Sequence, residues 1–216
     1  WGYSLASSQG LFQTKYLIAT VGLYSDRMAR RSGVDPGMKI IPFRGEYWHL
    51  KEAKRSLVKN LIYPVPNPNF PFLGVHMTRL IDGSVHAGPN AVLAFSREGY
   101  SWAAIKIPDL FETLTYPGFW KLAGTYLGEG SKEMYRSLVK AAFLRSVQEL
   151  IPEIESDDLI RGDAGVRAQA LRPDGSLIDD FHLLEEKNGI FVLNAPSPAA
   201  TASLEIGKYI ADKCYI

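Results

Sequence analysis

Phe72-Leu73-Gly74-Val75-His76-Met77-Thr78-Arg79-Leu80-Ile81-Asp82-Gly83-Ser84-Val85-His86-Ala87 is the stretch on which the fold turns. Apolar and polar residues alternate into Asp82-Gly83. Asp-Gly is among the strongest two-residue hairpin signals, because both central positions need positive φ. The pattern predicts a β-hairpin, with one strand over Phe72 to Ile81 and the other over Ser84 to Phe95, and therefore an antiparallel sheet. Strand alternation puts His76 and Thr78 on one face, with Gly74 leaving room beside them, and Arg79 on the other. A two-residue turn pairs Ile81 with Ser84, Arg79 with His86 and Thr78 with Ala87. On one reading this is the polar floor of a pocket. On the plainer one His76 is a satisfied half-buried histidine, and His86 beside Arg79 lies at the surface.

Upstream, Lys39 to Leu50 reads as a long strand. Pro42 denies it one ladder hydrogen bond and so marks an edge or a bulge. Inside it, Pro42-Phe43-Arg44-Gly45-Glu46-Tyr47-Trp48 places Arg44 and Glu46 on one face, either as an ion pair or facing a ligand. Gly45 signals the close approach of another backbone or of a ligand. Tyr63 to Pro71 carries four prolines and two asparagines and reads as an extended loop. Nearer the start, Lys15 to Thr20 is a buried strand, Gly22 breaks it, and Leu23 to Ser32 is a short helix with Gly33 at its C-cap. That is half of a βαβ unit. Downstream, Pro108 to Gly128 is helical in part. Ser131 to Leu150 is the clearest helix, with a stripe of Met134, Leu138, Ala141, Ala142, Arg145 and Leu150, and Pro152 stops it. Gly165 to Leu171 is a strand, Pro173-Asp174-Gly175 a turn, Ile190 to Leu193 a buried strand and Pro198 to Asp212 a closing helix.

The expected class is α+β. A mixed or antiparallel sheet with helices occupies residues 39–160. Residues 1–38 and 161–216 flank it as two parts of one interrupted α/β domain.

The chain has 216 residues, of which 46% are hydrophobic, 22% charged and 12% aromatic. A chain of this length buries roughly 70% of its unfolded surface, and the aromatic content excludes disorder as its main state. Lys and Arg total 24 against 23 Asp and Glu, a net charge of +1, so no global field draws nucleic acid. One cysteine, Cys214, excludes an intramolecular disulfide framework and a cysteine-based zinc site. The four histidines match none of the usual metal spacings. No P-loop, no Ser-His-Asp order and no G-x-G-x-x-G is visible. The apolar runs fall short of the ~20 residues of a spanning helix, and Trp1 to Gly10 read as no signal peptide.

Two further motifs carry chemistry. In Gly165-Val166-Arg167 an arginine next to glycine at a strand start either binds a carboxylate bidentately or makes a surface salt bridge. In Asn194-Ala195-Pro196-Ser197-Pro198-Ala199-Ala200-Thr201 a rigid loop enters a helix through small residues, which let a bulky ligand approach the helix end.

In this order, Gly22-Leu23-Tyr24-Ser25-Asp26-Arg27, Pro42-Phe43-Arg44-Gly45-Glu46-Tyr47, Pro71-Phe72-Leu73-Gly74-Val75-His76, Gly88-Pro89-Asn90-Ala91-Val92-Leu93-Ala94-Phe95, Gly165-Val166-Arg167-Ala168-Gln169 and Asn194 to Thr201 resemble the L-2-hydroxyglutarate oxidase/dehydrogenase family. These are FAD enzymes of the D-amino-acid oxidase superfamily, and the likeness runs from about Thr14 to Asp212. It implies oxidation of L-2-hydroxyglutarate to 2-oxoglutarate. Alternatives are an amino-acid oxidase of the same superfamily and a non-catalytic truncated domain.

The resemblance also implies roles. Arg167 binds the substrate carboxylate. Gly22, Gly45, Gly165, Val166 and the run Ser197, Pro198, Ala199, Ala200 and Thr201 contact FAD. Arg44 and Glu46 stand beside the flavin, with Arg44 the second cationic anchor that a dicarboxylate asks for. His76 is the expected base, on chemical grounds: hydride loss from C2 needs a group to take the hydroxyl proton, and an imidazole with pKa near ~6.5 suits it. No metal is implied. The expected location is cytoplasmic and peripheral to the inner membrane, with Phe111, Leu114, Tyr116, Phe119 and Trp120 as a membrane- or quinone-facing patch, or else as ordinary core.

The family opens with the Rossmann fingerprint that grips the FAD pyrophosphate, and nothing in these residues supplies it. The chain is therefore expected to purify colourless and to turn over no 2-hydroxy acid. Flavin absorbance of the purified chain checks this, and stoichiometric FAD would overturn it.

Overall fold

A computed structural model describes residues 2–65 and 74–214. In chain order its elements are β1 (Tyr3–Ser7), β2 (Gly10–Thr14), β3 (Leu17–Ala19), α1 (Ser25–Arg31), β4 (Lys39–Leu50), β5 (His76–Arg79), β6 (Val85–Gly88), β7 (Val92–Leu93), α2 (Ile107–Leu114), α3 (Pro117–Thr125), α4 (Leu127–Leu138), α5 (Lys140–Gln148), β8 (Leu159–Leu171), β9 (His182–Glu186), β10 (Gly189–Asn194) and α6 (Ser203–Asp212). The class is α+β. The chain divides into two compact units, one of Trp1–Ile41, Tyr116–Phe119 and Ala168–Ile216, the other of Pro42–Thr115 and Trp120–Arg167.

The first unit is organised around β10, in which every residue is buried. β10 pairs with β3 in parallel and with β9 antiparallel. Its apolar run Ile190-Phe191-Val192-Leu193 has the unbroken hydrophobicity of a strand covered on both faces. Phe191 and Leu193 pack with Ala19, Ala29, Met38 and Ile178, while Ile190 and Val192 pack with Ile210 of α6. Polar contacts fasten α1: Ser25 Oγ donates to the Leu193 carbonyl at 2.9 Å, and the buried Asp26 accepts the Ile40 N–H at 3.1 Å. Gly33, at φ +82°, ends α1 as expected.

Several boundaries differ from the sequence reading. A single 3-10 turn over Gly22–Tyr24 precedes α1, which begins only at Ser25. The closing helix starts at Ser203 and not at Pro198. The Pro198 carbonyl instead accepts both the Ala202 N–H and the Thr201 hydroxyl, so these residues form a turn. The β1–β2 hairpin carries no sequence signal, because its residues lie mostly exposed and show no apolar period.

The second unit is built on a sheet with order β5-β6-β4-β7, and β8 also pairs with β4. The hairpin forms, but one residue out of the expected register. Thr78 pairs with His86, and Ala87 with Met77. Leu80 N–H bonds Ser84 O and Gly83 N–H bonds Leu80 O, so the loop is the three residues Ile81-Asp82-Gly83, with Gly83 at φ +81°. Asp82 accepts both the N–H and the hydroxyl of Ser84, an Asx turn that favours this longer loop over the two-residue type. Phe72 and Leu73, placed in the first strand by the sequence pattern, lie outside the described residues, as does much of the loop ending at Pro71.

The helix expected over Ser131 to Leu150 is two helices. Val139 takes an extended conformation, φ −117° and ψ 101°, between α4 and α5. The break lets each helix bury a different face. α4 turns Glu133 and Ser137 inward, whereas α5 turns Ala142, Phe143 and Val147 into the interior, where Phe143 and Val147 join Leu50, Met77, Val85 and Ala87 in the apolar core. A continuous helix cannot serve both surfaces.

Gly83→Ala places a side chain in the left-handed region and is expected to lower stability by about 1–2 kcal/mol, read from the urea midpoint.

Candidate functional site

The register of the second sheet sorts its residues onto two faces. Met77, Ala87 and Trp48 point toward the apolar core. Thr78, His86 and His49 form a row across three strands on the opposite face, and His76 stands on that face opposite Gly88. Arg79 lies on the core side, where its Nη1 donates to the Val58 carbonyl at 3.1 Å. His76 and Thr78 thus share a face as alternation requires. His86, read from sequence as a surface residue beside Arg79, is half-buried on the face of His76. Its ring lies 4.2 Å from that of His49 and 5.9 Å from that of Tyr47, centroid to centroid. Motif reading misses His49, although alternation from Tyr47 finds it. Gly162 seats it: a Cβ there would fall 2.2 Å from the His49 ring.

His76 is held in a defined state. Its Nδ1 lies 3.0 Å from the Gly74 carbonyl, which can only accept, so Nδ1 carries a proton and Nε2 is the basic nitrogen of the neutral ring. Tyr63 stacks on the imidazole at 4.4 Å. Burial, first of all, lowers the His76 pKa below its usual value, and the positive charge of Arg167 lowers it further, against the Gly74 bond. The imidazole is therefore neutral at neutral pH, and Arg167 stands within its electrostatic reach.

Arg44 and Glu46 lie on the other face. Arg44 is 0% exposed. Its Nε donates to Glu46 Oε1 at 3.1 Å, and its guanidinium stacks 4.5 Å above the Trp102 ring. Glu46 also accepts from Asn90 Nδ2 at 3.3 Å, from Arg161 Nη2 at 3.4 Å and from the Ser137 hydroxyl. Arg44 is thus held in an interior ion pair on the face opposite His76, and among the described residues its Nη1 and Nη2 have no hydrogen-bond partner. Gly45 does answer a close approach, but that of its own chain: a Cβ would meet Pro89 at 2.8 Å and the Asn90 carbonyl at 3.2 Å. Beside this cluster opens a cavity of ≈ 620 Å³, lined by Glu46, Tyr100, Trp102, Arg161 and Asp163 among others. Arg161 and Trp102 carry no signal in the sequence, since their roles arise from distant segments that meet at Glu46.

In the first unit, Gly22 turns at φ +52° with open space where its side chain would be. Ser197, Pro198, Ala200 and Thr201 are exposed and Ala199 partly so, ahead of the ten-residue α6. Gly165 on β8 of the second unit likewise has open space where a side chain would stand, and Val166 is half-buried. Of the aromatic cluster, Tyr116 is buried, its hydroxyl donating to the Leu171 carbonyl at 2.9 Å, so it belongs to core. Phe111, Leu114 and Trp120 are exposed. Among the described residues no helix is long and apolar enough to cross a membrane, and no three His, Cys, Asp or Glu side chains converge to hold a metal ion.

The family described as "DAO: FAD dependent oxidoreductase" matches residues 1–213. A protein of Indibacter alkaliphilus named L-2-hydroxyglutarate dehydrogenase is 55% identical over 207 residues, covering 95% of this chain and 52% of that protein. A mitochondrial L-2-hydroxyglutarate dehydrogenase of Caenorhabditis elegans is 49% identical, covering 98% and 51%. One of Escherichia coli K12 is 47% identical, covering 94% and 48%. The chain thus spans about half the length of these relatives. L-alpha-glycerophosphate oxidase of Mycoplasma pneumoniae, solved with FAD bound, shares the fold at TM-score 0.62 and 15% identity, covering 95% of this chain and 44% of that one.

Arg44→Ala removes the buried cation of the pair and leaves the Glu46 carboxylate to Asn90, Ser137 and Arg161, and removing one partner of a buried pair costs up to about 3–5 kcal/mol. The expected outcome is a drop of that size in unfolding free energy by denaturant titration.

Proposed function

Since the chain belongs to the FAD dependent oxidoreductase family, we propose that it forms part of an enzyme that oxidises L-2-hydroxyglutarate to 2-oxoglutarate, with Arg167 holding the C1 carboxylate and His76 taking the hydroxyl proton. The observation that carries this reading is the state of His76: neutral, its Nδ1–H committed to Gly74, its Nε2 basic, and Arg167 near enough to depress its pKa. Support also comes from relatives at 47–55% identity that are named for this substrate.

Each residue has one task. Arg167 presents a planar fork that fits a carboxylate bidentately and orients C2. His76 Nε2 accepts the C2 hydroxyl proton as the hydrogen on C2 departs with its electron pair, and Gly74 and Tyr63 keep the ring from rotating. FAD, when bound, supplies the acceptor for those two electrons. Gly22 and Ser197 to Thr201 fit such a group, because small residues at the surface leave the N-terminal end of α6 open, and a helix N-terminus favours negative charge. Gly165 and Val166 lie on the strand that carries Arg167. The unit containing β5 and β6 is read as the substrate-binding part, and the unit around β10 as the returning part of an FAD-binding domain. Phe111, Leu114 and Trp120 supply the exposed apolar surface for a peripheral membrane or quinone contact.

In the complete flavin-loaded protein, Arg167→Ala is expected to lower kcat/KM for L-2-hydroxyglutarate roughly tenfold to a few hundredfold while flavin stays bound, and Arg167→Lys to recover it only in part. Unchanged kinetics in Arg167→Ala would place the carboxylate elsewhere. The base must be unprotonated. With its pKa depressed, kcat/KM is therefore full at neutral pH and falls on acidification through a midpoint below ~6.5. His76→Gln is expected to remove that acid limb from the pH profile along with most of kcat.

A further inference from the structure

A dicarboxylate has a second charged end, and Arg44 lies on the sheet face opposite His76, 0% exposed and paired with Glu46. We propose that His86, seated by His49, binds the far carboxylate and thereby selects 2-hydroxy dicarboxylates over monocarboxylates. This deepens the substrate reading above and rests on it.

Four observations converge on this pair. First, the register puts His86 on the same sheet face as His76 and one step diagonal to it: His76 stands opposite Gly88, and His86 is two residues from Gly88. Diagonal neighbours across strands lie about 7–8 Å apart, within reach of long side chains. Three carbon–carbon bonds of ~1.5 Å separate C2 of the substrate from its far carboxyl carbon, a span of about 4 Å when extended. A substrate whose hydroxyl meets His76 therefore carries its far carboxylate toward His86.

Second, the donors are available. Among the described residues the contacts of His86 are with the rings of His49 and Tyr47, and no hydrogen bond engages a ring nitrogen of either histidine. Third, the pair is built in place. His49 and His86 are direct cross-strand partners, and Gly162 leaves the space that the His49 ring fills. A larger residue at 162 would displace the ring. Fourth, the surroundings keep His86 an uncharged hydrogen-bond donor. Burial first, then His49, lowers the His86 pKa below its usual value despite Asp82 and Asp163, so the ring is neutral at neutral pH, and Thr78 and Tyr47 also adjoin it. Asp82 is already tied to the N–H and hydroxyl of Ser84. Either form of the imidazole offers an N–H to a carboxylate.

The test compares L-2-hydroxyglutarate with L-2-hydroxyvalerate, a five-carbon monocarboxylate, in the complete flavin-loaded protein. His86→Ala is expected to raise KM for L-2-hydroxyglutarate roughly ten- to hundredfold with kcat little changed, the loss typical of one hydrogen bond to a charged group. It should leave kcat/KM for L-2-hydroxyvalerate within about twofold. Competitive inhibition by glutarate should weaken in parallel, a binding readout that needs no turnover of the inhibitor. His86→Gln keeps an N–H donor and should recover part of the discrimination; it carries the test if His86→Ala fails to load flavin. Equal losses on both substrates, or discrimination retained in both variants, would overturn the assignment. A wild-type protein that oxidises L-2-hydroxyglutarate while His86→Ala keeps the full wild-type preference refutes His86 alone. A wild-type protein that does not oxidise L-2-hydroxyglutarate refutes the proposed function and the inference with it.

Discussion

The buried carboxylate of Glu46 is the constraint around which the second unit is arranged. It gathers Arg44 from its own strand, Asn90 from the segment after β6, Ser137 from α4 and Arg161 from β8. Four pieces of chain distant in sequence meet at one charge. Such a cluster adds little net stability over an apolar core, but breaking it is costly, because a buried charge such as that of Arg44 is then left without its counterpart. Its effect is therefore to specify one arrangement. With Glu46 facing inward, strand alternation leaves Tyr47 and His49 on the opposite face, where the imidazoles lie.

That division into two faces governs the chemistry as well. The inward face is closed by Leu50, Met77, Val85, Ala87 and the helical residues Phe143 and Val147. The outward face holds His76, Thr78, His86 and His49, all half-buried. Partial burial gives His76 its depressed pKa, and the Gly74 carbonyl chooses its tautomer. The break at Val139 serves the same division, since α4 sends Ser137 to the charged cluster while α5 sends Phe143 and Val147 to the apolar core. The first unit uses a different logic. There β10 is buried on both faces, and its hydrogen bonds to α1 and its packing against α6 hold the small-residue turn of Ser197 to Thr201 at the unit's surface.

The one-residue change of register in the hairpin shows how local chemistry outweighs a dipeptide signal. Asp82-Gly83 foretells a turn, and Gly83 does adopt positive φ. But Asp82 bonds forward to Ser84, and the loop lengthens to three residues. The face assignments of His76, Thr78 and Arg79 survive, because they depend on alternation within one strand. The partner assignments do not, because they depend on loop length, and so His86 moves to the face of His76.

Local pattern was enough for the β4 strand from Lys39 to Leu50, the Gly33 cap, the hairpin, the buried strand around Ile190 and the α+β class. Each follows from periodicity or from a backbone preference carried by a few neighbouring residues. The resemblance carried by whole strings such as Pro42 to Tyr47 and Gly165 to Gln169 pointed to the family. The interior commitment of Arg44, the use of Gly45 by Pro89, the split at Val139 and the joining of His49 to His86 were not legible. They arise from segments tens of residues apart that compete for the same buried volume and the same hydrogen-bond acceptors. A sequence pattern states which face of a strand a residue occupies. Which face becomes the interior, and which charge is closed inside it, is set only when the other strands and helices pack against it.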